Sequence, residues 1–173
     1  MLTGQRRGEI ANVRPSMIGE GVLTFPTWLT KNSQEHVIPL LEKAERLLKA
    51  NVGPEEPILG VWSKETRVPF SSWSKNKKAL DERSGVCDWT LHDLRRTFRT
   101  KLGQLGVRPD IAERVVNHIN SRSDMEIVYD RYKYLPEMRA AFELWEAHVD
   151  ALLVRDFEGA ASSRANLAPP ANQ

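Results

Sequence analysis

The apolar residues in the second half of the chain recur every three or four positions, which places them on one face of an α-helix. The pattern predicts one helix after Thr90, a second that begins at Pro109 and a long last helix that Pro136 opens. Ser123 can cap a further helix that carries Tyr129. The residues predicted to be buried are Leu94, Phe98, Leu102 and Leu105 in the first helix, Ile111, Val115 and Val116 in the second, and Met138, Phe142, Trp145, Val149 and Leu152 in the last.

A different pattern fills the first half of the chain. The elements predicted from it are a short helix over residues 4–13, strands over residues 22–28 and 36–40, and helices over residues 40–50 and 75–83. Lys31 lies at the turn between the two strands. Pro26 and Pro39 should lie at strand ends or edges, because proline cannot donate to a ladder. We therefore expect a mainly α protein with one small antiparallel β-sheet, an α+β fold.

Composition places the chain among ordinary globular proteins. Its 173 residues suffice for one domain with a real core, and 40% of them are hydrophobic and 28% charged. A single cysteine, Cys87, excludes an internal disulfide framework and fits a reducing cytoplasm, where we expect the protein to reside. From Gly159 the composition turns to Ala, Ser, Asn and Pro, so we expect one domain over residues 1–158 and a disordered tail over 159–173.

The charge distribution says more than the net charge of +2. Residues 74–122 carry eleven basic and six acidic side chains, a local charge of +5, while the remainder of the chain carries −3. A basic middle segment in a near-neutral chain is modest evidence for a surface that binds a polyanion such as DNA. A solvated charged surface explains the same counts equally well.

His92 and Arg95 are the first candidate pair for chemistry. Residues three apart on a helix share a face, and the planar fork of an arginine donates two parallel hydrogen bonds to a phosphate. The other interpretation stays open at this point: Arg95 pairs with Asp93 or Glu113, and His92 only helps to cap the helix. Tyr129 alone is weaker evidence, since a phenol needs nearby cations or a base to become a nucleophile at neutral pH.

Five separated motifs together resemble the tyrosine recombinases, the phage-type integrases. They are TGQRRGE at residues 3–9, LTKNSQEHVIPL around Lys31, HDLRRTF at residues 92–98, NH at residues 117–118, and VYDRYKYLPEMRAAFELW from residue 128. The last segment is similar to prophage integrases of the satellite-phage type. The resemblance extends over essentially the whole chain before the predicted tail.

The resemblance implies a catalytic role for each motif. Arg6 and Arg95 would clamp the scissile phosphate, and Tyr129 would attack it to form a 3′-phosphotyrosyl bond. Lys31 would protonate the leaving 5′ oxygen, while His92 and His118 would assist phosphate binding and proton transfer. Glu9 matches an acid that would support the arginines. No metal, cofactor or energy source is implied, and the partners would be duplex DNA attachment sites and, on DNA, three further copies of the protein.

Several neighbours compete with these residues. Spacing within the motifs favours Arg6 over Arg7, Arg95 over Arg96, and Tyr129 over Tyr132 and Tyr134. His36 and His148 have no motif support, and we expect them to be packing or surface residues. Trp145 is expected in the core. The expected contacts to the DNA backbone are Lys75, Lys77 and Lys78.

Two departures from the family pattern affect the expectations. Asn117 replaces a glycine, and asparagine tolerates the backbone angles that glycine permits. Family members also carry an apolar helix before the first motif and, before that helix, a DNA-binding domain, and neither precedes Thr3. We therefore expect an N-terminally truncated catalytic domain with Arg6 close to a frayed end. The alternative function is that of an integrase remnant that only binds DNA.

Overall fold

A computed structural model describes residues 1–49, 53–118 and 133–165. The first half of the chain forms α1 (Arg7–Ala11), a 3-10 turn (Pro15–Met17), β1 (Ile18–Gly19), β2 (Val22–Phe25), β3 (His36–Pro39) and α2 (Glu42–Leu48). The second half forms β4 (Gly60–Ser63), β5 (Thr66–Pro69), α3 (Trp73–Ser84), α4 (Leu91–Gln104), α5 (Pro109–Val115) and α6 (Leu135–Ala165). Helices with small antiparallel sheets confirm the expected α+β class. The helix predicted after Ser123 lies outside the described residues.

The first sheet is an antiparallel meander in the order β1-β2-β3. Its register pairs Val22 with Pro39 and Phe25 with His36. Pro39 ends β3 and Pro26 follows β2, so both prolines lie where a missing N–H is tolerated, as predicted. The turn between β2 and β3 carries Lys31, also as predicted.

A second hairpin, β4 paired with β5, corrects the prediction of a single sheet. Its strands are largely exposed, so they lack the alternation of apolar and polar residues that identifies a half-buried strand. The turn between them contains Lys64 and Glu65 rather than glycine or asparagine, although Lys64 adopts φ +55°. Neither of the two local signals of a hairpin is therefore present in the sequence.

The core forms where α4, α5 and α6 pack against one another and against the first sheet. The ring of Phe98 lies 5.0 Å from that of Trp145 and 6.0 Å from that of Phe142, measured between centroids. The structure buries most of the residues that the sequence predicted in the core: Phe98, Leu102, Ile111, Val115, Val116, Met138, Phe142 and Trp145. The helical periodicity therefore identified most of this core.

Leu152 is a wrong prediction, since it is 46% exposed. The apolar spacing continues along α6 to this residue, but residues 151–155 are all exposed. The helix also extends past Gly159, where composition suggested the start of the tail, to Ala165. Alanine is the best helix former, so an alanine-rich sequence supports a helix as readily as a tail.

The ends of α4 and α5 follow local chemistry. The Asp93 carboxylate accepts a hydrogen bond from the backbone N–H of Thr90 at 2.8 Å, which forms the predicted capping box. Gly106, with φ +84°, follows the end of α4. At the end of α5, Asn117 adopts φ +49°, and the N–H groups of Asn117 and His118 bond to the carbonyls of Arg114 and Glu113. This is a Schellman motif with asparagine in the left-handed position, as the sequence predicted.

Gly4 is required by close packing. Its φ is +60°, and an added Cβ would lie against Cδ1 of the Phe98 ring and 2.6 Å from its Cε1. We expect Gly4→Ala to lower the free energy of unfolding by roughly 2–4 kcal/mol, since left-handed strain and overpacking add. Chemical denaturation measures this. Gly103→Ala is the matched control, because a Cβ there meets only Arg99 Nη1 at 3.9 Å and the change should be neutral or stabilising. A Gly4→Ala protein as stable as the wild type would contradict the packing argument.

His36 should make the fold sensitive to acid. Its side chain is buried against Phe25, Nε2 lies 3.3 Å from the Val115 carbonyl, and burial lowers its pKa to about 4. The unfolded chain therefore takes up a proton near pH 6.5 that the folded chain refuses until about pH 4, so stability falls as pH falls through this window. The loss should reach about 3 kcal/mol. Denaturation curves between pH 7 and 4 should show a smaller pH dependence for His36→Gln, and equal slopes would contradict the assignment.

Candidate active site

An open groove of about 560 Å³ lies between the N-terminal segment, the β2–β3 turn and the start of α4. Four of the six predicted catalytic residues line it: Arg6, Lys31, His92 and Arg95. His118 lies close enough that the charges of Arg95 and Arg6 act on its pKa. Tyr129 lies outside the described residues. The structure thus brings together side chains that are far apart in sequence.

Arg95 is the most buried cation of the site, with 4% of its surface exposed. Nη1 donates to the Gly4 carbonyl at 2.8 Å, and Nη2 donates to the Val116 carbonyl. Among the described residues no carboxylate lies within salt-bridge distance of Arg95. The two acids considered as its partners pair with other arginines, Asp93 with Arg96 and Glu113 with Arg99. The alternative in which Arg95 pairs with Asp93 or Glu113 is therefore wrong. Burial and then the neighbouring charge of Arg6 lower its pKa to about 10, so it remains cationic at neutral pH.

Arg6 is held in place rather than frayed, which corrects the expectation for the start of the chain. Its Nη1 lies 3.0 Å from Glu9 Oε1, and its Nη2 donates to the Asn117 carbonyl at 3.3 Å. The adjacent Gln5 is buried and donates to the Val115 carbonyl at 2.8 Å. Backbone carbonyls at the end of α5 therefore anchor this segment.

Glu9 links Arg6 to the Lys31 turn. Only 4% of its surface is exposed, and Oε1 accepts both from Arg6 and, at 3.4 Å, from the backbone N–H of Lys31. Its Oε2 has no hydrogen-bond partner in the described part of the chain. The Lys31 side chain itself is exposed and lines the groove.

His92 lies in the first turn of α4, with an exposed side chain that lines the groove. The cap of this helix is formed by Thr90 and Asp93, and hydrogen bonds from Thr90, the hydroxyl first, lower the pKa of the Asp93 carboxyl. The suggestion that His92 serves as the cap is thus not supported by the contacts.

His118 follows Asn117 and is held by α5. Its Nδ1 lies 3.2 Å from Glu113 Oε2, while Glu113 Oε1 receives both Nε and Nη2 of Arg99. Burial, followed by the charge of Arg95, lowers the pKa of His118. The ring is therefore mostly neutral at pH 7, and the carboxylate favours the tautomer with the proton on Nδ1 and a lone pair on Nε2.

The competing residues differ in their surroundings. Arg7 lines the same groove as Arg6. Arg96 is exposed and pairs with Asp93, and His36 is buried in the core as a packing residue. Tyr134 stacks under Arg114 at 3.8 Å. Lys77 was expected to contact DNA, but it donates to Asp81 at 2.7 Å and to the Cys87 carbonyl, and it lies over the Trp89 ring. Its charge is used within the protein, whereas Lys75 and Lys78 are exposed.

Sequence reasoning missed the groups that hold the catalytic candidates. These groups are the carbonyls of Gly4, Val116 and Asn117, the Glu113 carboxylate, and an amide pair between Asn32 and Asn117. Backbone carbonyls carry no residue-type signal, and Asn32 and Asn117 are 85 positions apart. Glu113 was considered only as a partner for Arg95.

The described part of the chain holds no group of three or more His, Cys, Asp or Glu side chains arranged to bind a metal ion. Within the same ranges, no helix combines the length and the apolar character that crossing a membrane requires. The groove is instead dominated by cations.

Comparison with known proteins agrees with this architecture. A crystal structure of XerA recombinase matches at a TM-score of 0.51 and 20% identity, over 75% of this chain and 54% of that chain. At this identity the match shows a shared fold, and this chain spans about half the length of that protein. No curated protein matches. The phage integrase family model matches residues 1–133, so the chain belongs to the phage integrase family.

Proposed function

We propose that this chain cleaves and rejoins DNA strands at specific sites through a tyrosine–phosphate intermediate, in the integration or recombination of a mobile element. The observation that carries the proposal is Arg95, a buried guanidinium with no carboxylate partner among the described residues, beside a groove that also holds Arg6. A buried charge is costly unless an opposite charge compensates it. A phosphodiester in the groove would supply that charge.

The geometry of the two guanidiniums suits a phosphate ligand. A guanidinium has five N–H donors, and Arg95 uses one on Gly4 and one on Val116. The second N–H of each terminal nitrogen of Arg95 would bind the non-bridging oxygens, together with donors of Arg6, whereas Nε of Arg95 is buried and has no hydrogen-bond partner among the described residues. Donors that are already oriented need no rearrangement as negative charge develops on a pentavalent phosphorus, which is how such sites lower a barrier.

The proposed reaction exchanges one phosphodiester for another. The Tyr129 oxygen attacks phosphorus and loses its proton, the bond from phosphorus to the 5′ oxygen breaks, and Lys31 supplies the proton to that oxygen. In this reaction the neutral Nε2 of His118 accepts the phenolic proton, and His92 hydrogen-bonds the phosphate. A second strand with a free 5′ hydroxyl reverses these steps and releases the tyrosine.

The wider setting is proposed from family membership. The proposed substrates are duplex attachment sites. The whole protein is proposed to assemble as a tetramer on DNA and to reside in the cytoplasm. Lys75 and Lys78 supply exposed positive charge for the DNA backbone.

A covalent adduct tests the reaction directly. Incubated with a nicked suicide duplex that carries the attachment site, the purified protein should form a protein–DNA band that survives denaturing electrophoresis. Tyr129→Phe should abolish this band and retain DNA binding, because only the nucleophile is lost. If the wild type binds DNA but forms no adduct at any salt concentration tested, the chain is a DNA-binding remnant and the proposed chemistry is wrong.

The two adjacent arginines offer a matched test of the phosphate site. Arg95→Lys removes the planar guanidinium, which donates to two carbonyls and, in the proposed reaction, to the phosphate. We expect adduct formation to slow by roughly 10²–10³-fold. Arg96→Lys keeps an exposed charge beside Asp93 and should cleave at nearly the wild-type rate. Circular dichroism should establish that both variants are folded. Equal rates for the two variants would remove Arg95 from the reaction.

A further inference from the structure

A pair of asparagines connects two segments that carry predicted catalytic residues. Nδ2 of Asn32 donates to Oδ1 of Asn117 at 2.9 Å, and Nδ2 of Asn117 donates to Oδ1 of Asn32 at 3.3 Å. Asn32 belongs to the turn between β2 and β3, and Asn117 follows the end of α5. The two amides therefore join the turn that carries Lys31 to the segment that carries His118.

The backbone at Asn117 does not require this side chain. At φ +49° glycine is free of the steric cost that other residues incur. Asn117 is nevertheless only 3% exposed, and a buried amide is unfavourable unless it is hydrogen-bonded. Asn32 provides a partner for one N–H and for the oxygen of the Asn117 amide. The contact with Asn32 therefore gives the Asn117 side chain a role that a glycine at this helix end could not fill.

The same residue also contacts the phosphate-binding candidates. The carbonyl of Asn117 accepts from Arg6, and Glu9 accepts from both Arg6 and the backbone N–H of Lys31. The backbone beside Lys31 is therefore fixed at two points. Among the described residues the Lys31 ammonium itself makes no hydrogen bond or ion pair and is exposed in the groove. A side chain that must reach one atom of a bound substrate needs a fixed backbone and an ammonium group without a partner in the protein, and Lys31 has both among the described residues.

We propose that Asn32 and Asn117 are positioning residues, an amide latch that holds the Lys31 turn so that Lys31 protonates the leaving 5′ oxygen. The inference rests on the proposed strand-cleavage function and deepens it. The latch consists of two neutral hydrogen bonds of ordinary strength, and other hydrogen bonds keep the turn folded without it, so opening the latch should slow cleavage by about 10- to 100-fold.

The test compares two leaving groups. One suicide duplex carries the natural 5′ oxygen at the scissile bond, and the other carries a 5′ bridging sulfur. A thiol has a pKa of about 8.5, far below that of an alcohol, so a departing thiolate needs no proton from Lys31. Asn32→Ala, Asn117→Gly and Lys31→Ala should each slow adduct formation on the oxygen duplex and come within about 3-fold of the wild type on the sulfur duplex.

Two further proteins sharpen the comparison. Gln34→Ala removes an exposed amide from the same turn and should leave both rates unchanged. The double variant Asn32→Ala/Asn117→Gly should be no slower than the slower single variant, because both changes open one latch. Asn117→Gly should remain folded, since glycine suits its backbone angle.

The possible outcomes distinguish a failure of the latch from a failure of the proposed strand-cleavage function. Asparagine variants that cleave the oxygen duplex at the wild-type rate, or that are equally slow on both duplexes, overturn the latch while wild-type adduct formation upholds the proposed function. If sulfur fails to rescue Lys31→Ala, the role of Lys31 as the acid is wrong and the latch falls with it. If the wild type forms no adduct on either duplex, the proposed function itself fails.

Discussion

The structure of the site depends on the hydrogen bonds that the Arg95 guanidinium donates to the carbonyls of Gly4 and Val116. Arg95 lies on α4, Gly4 precedes α1, and Val116 follows α5, so one side chain fixes three segments that are distant in sequence. Removing a guanidinium from water costs several kcal/mol, and two carbonyl dipoles offset only part of this. A guanidinium retained at 4% exposure therefore lowers the stability of the fold, which is the pattern expected where a residue serves a function.

Core packing and the site are joined on α4. Phe98 follows Arg95 by three residues and therefore shares its helical face. The missing Cβ of Gly4 lets the N-terminal segment approach the Phe98 ring, and the same approach brings the Gly4 carbonyl to Arg95. Phe98 is in turn held by Trp145 and Phe142 of α6. The position of the guanidinium is thus set by close-packed aromatic rings, which resist displacement far better than a loop would.

The sequence predicted whatever is encoded locally. The period of about 3.6 residues placed Phe98, Val115 and Trp145 in the core. Motif spacing favoured Arg95, which is buried, over Arg96, which is exposed. The sequence did not predict the β4–β5 hairpin, because its strands lack the alternation of apolar and polar residues and its turn lacks glycine or asparagine. It also did not predict that Leu152 is exposed, because the apolar spacing of α6 continues to a part of the helix where residues 151–155 are all exposed. The partners of the site residues were also hidden, because a carbonyl belongs to every residue and Asn32 meets Asn117 only through the tertiary fold.

The charges of the described site show why carbonyls, rather than carboxylates, hold Arg95. Arg6 and Arg95 contribute two positive charges, and Glu9, which pairs with Arg6, contributes one negative charge. The Glu113 carboxylate is bound to Arg99 and lies next to His118, whose pKa is lowered. With Arg7 and Lys31, which also line the groove, the site carries an excess of positive charge, which favours an anionic ligand. A carboxylate on Arg95 would reduce that charge and compete with such a ligand, whereas carbonyl dipoles orient the guanidinium and leave its charge available.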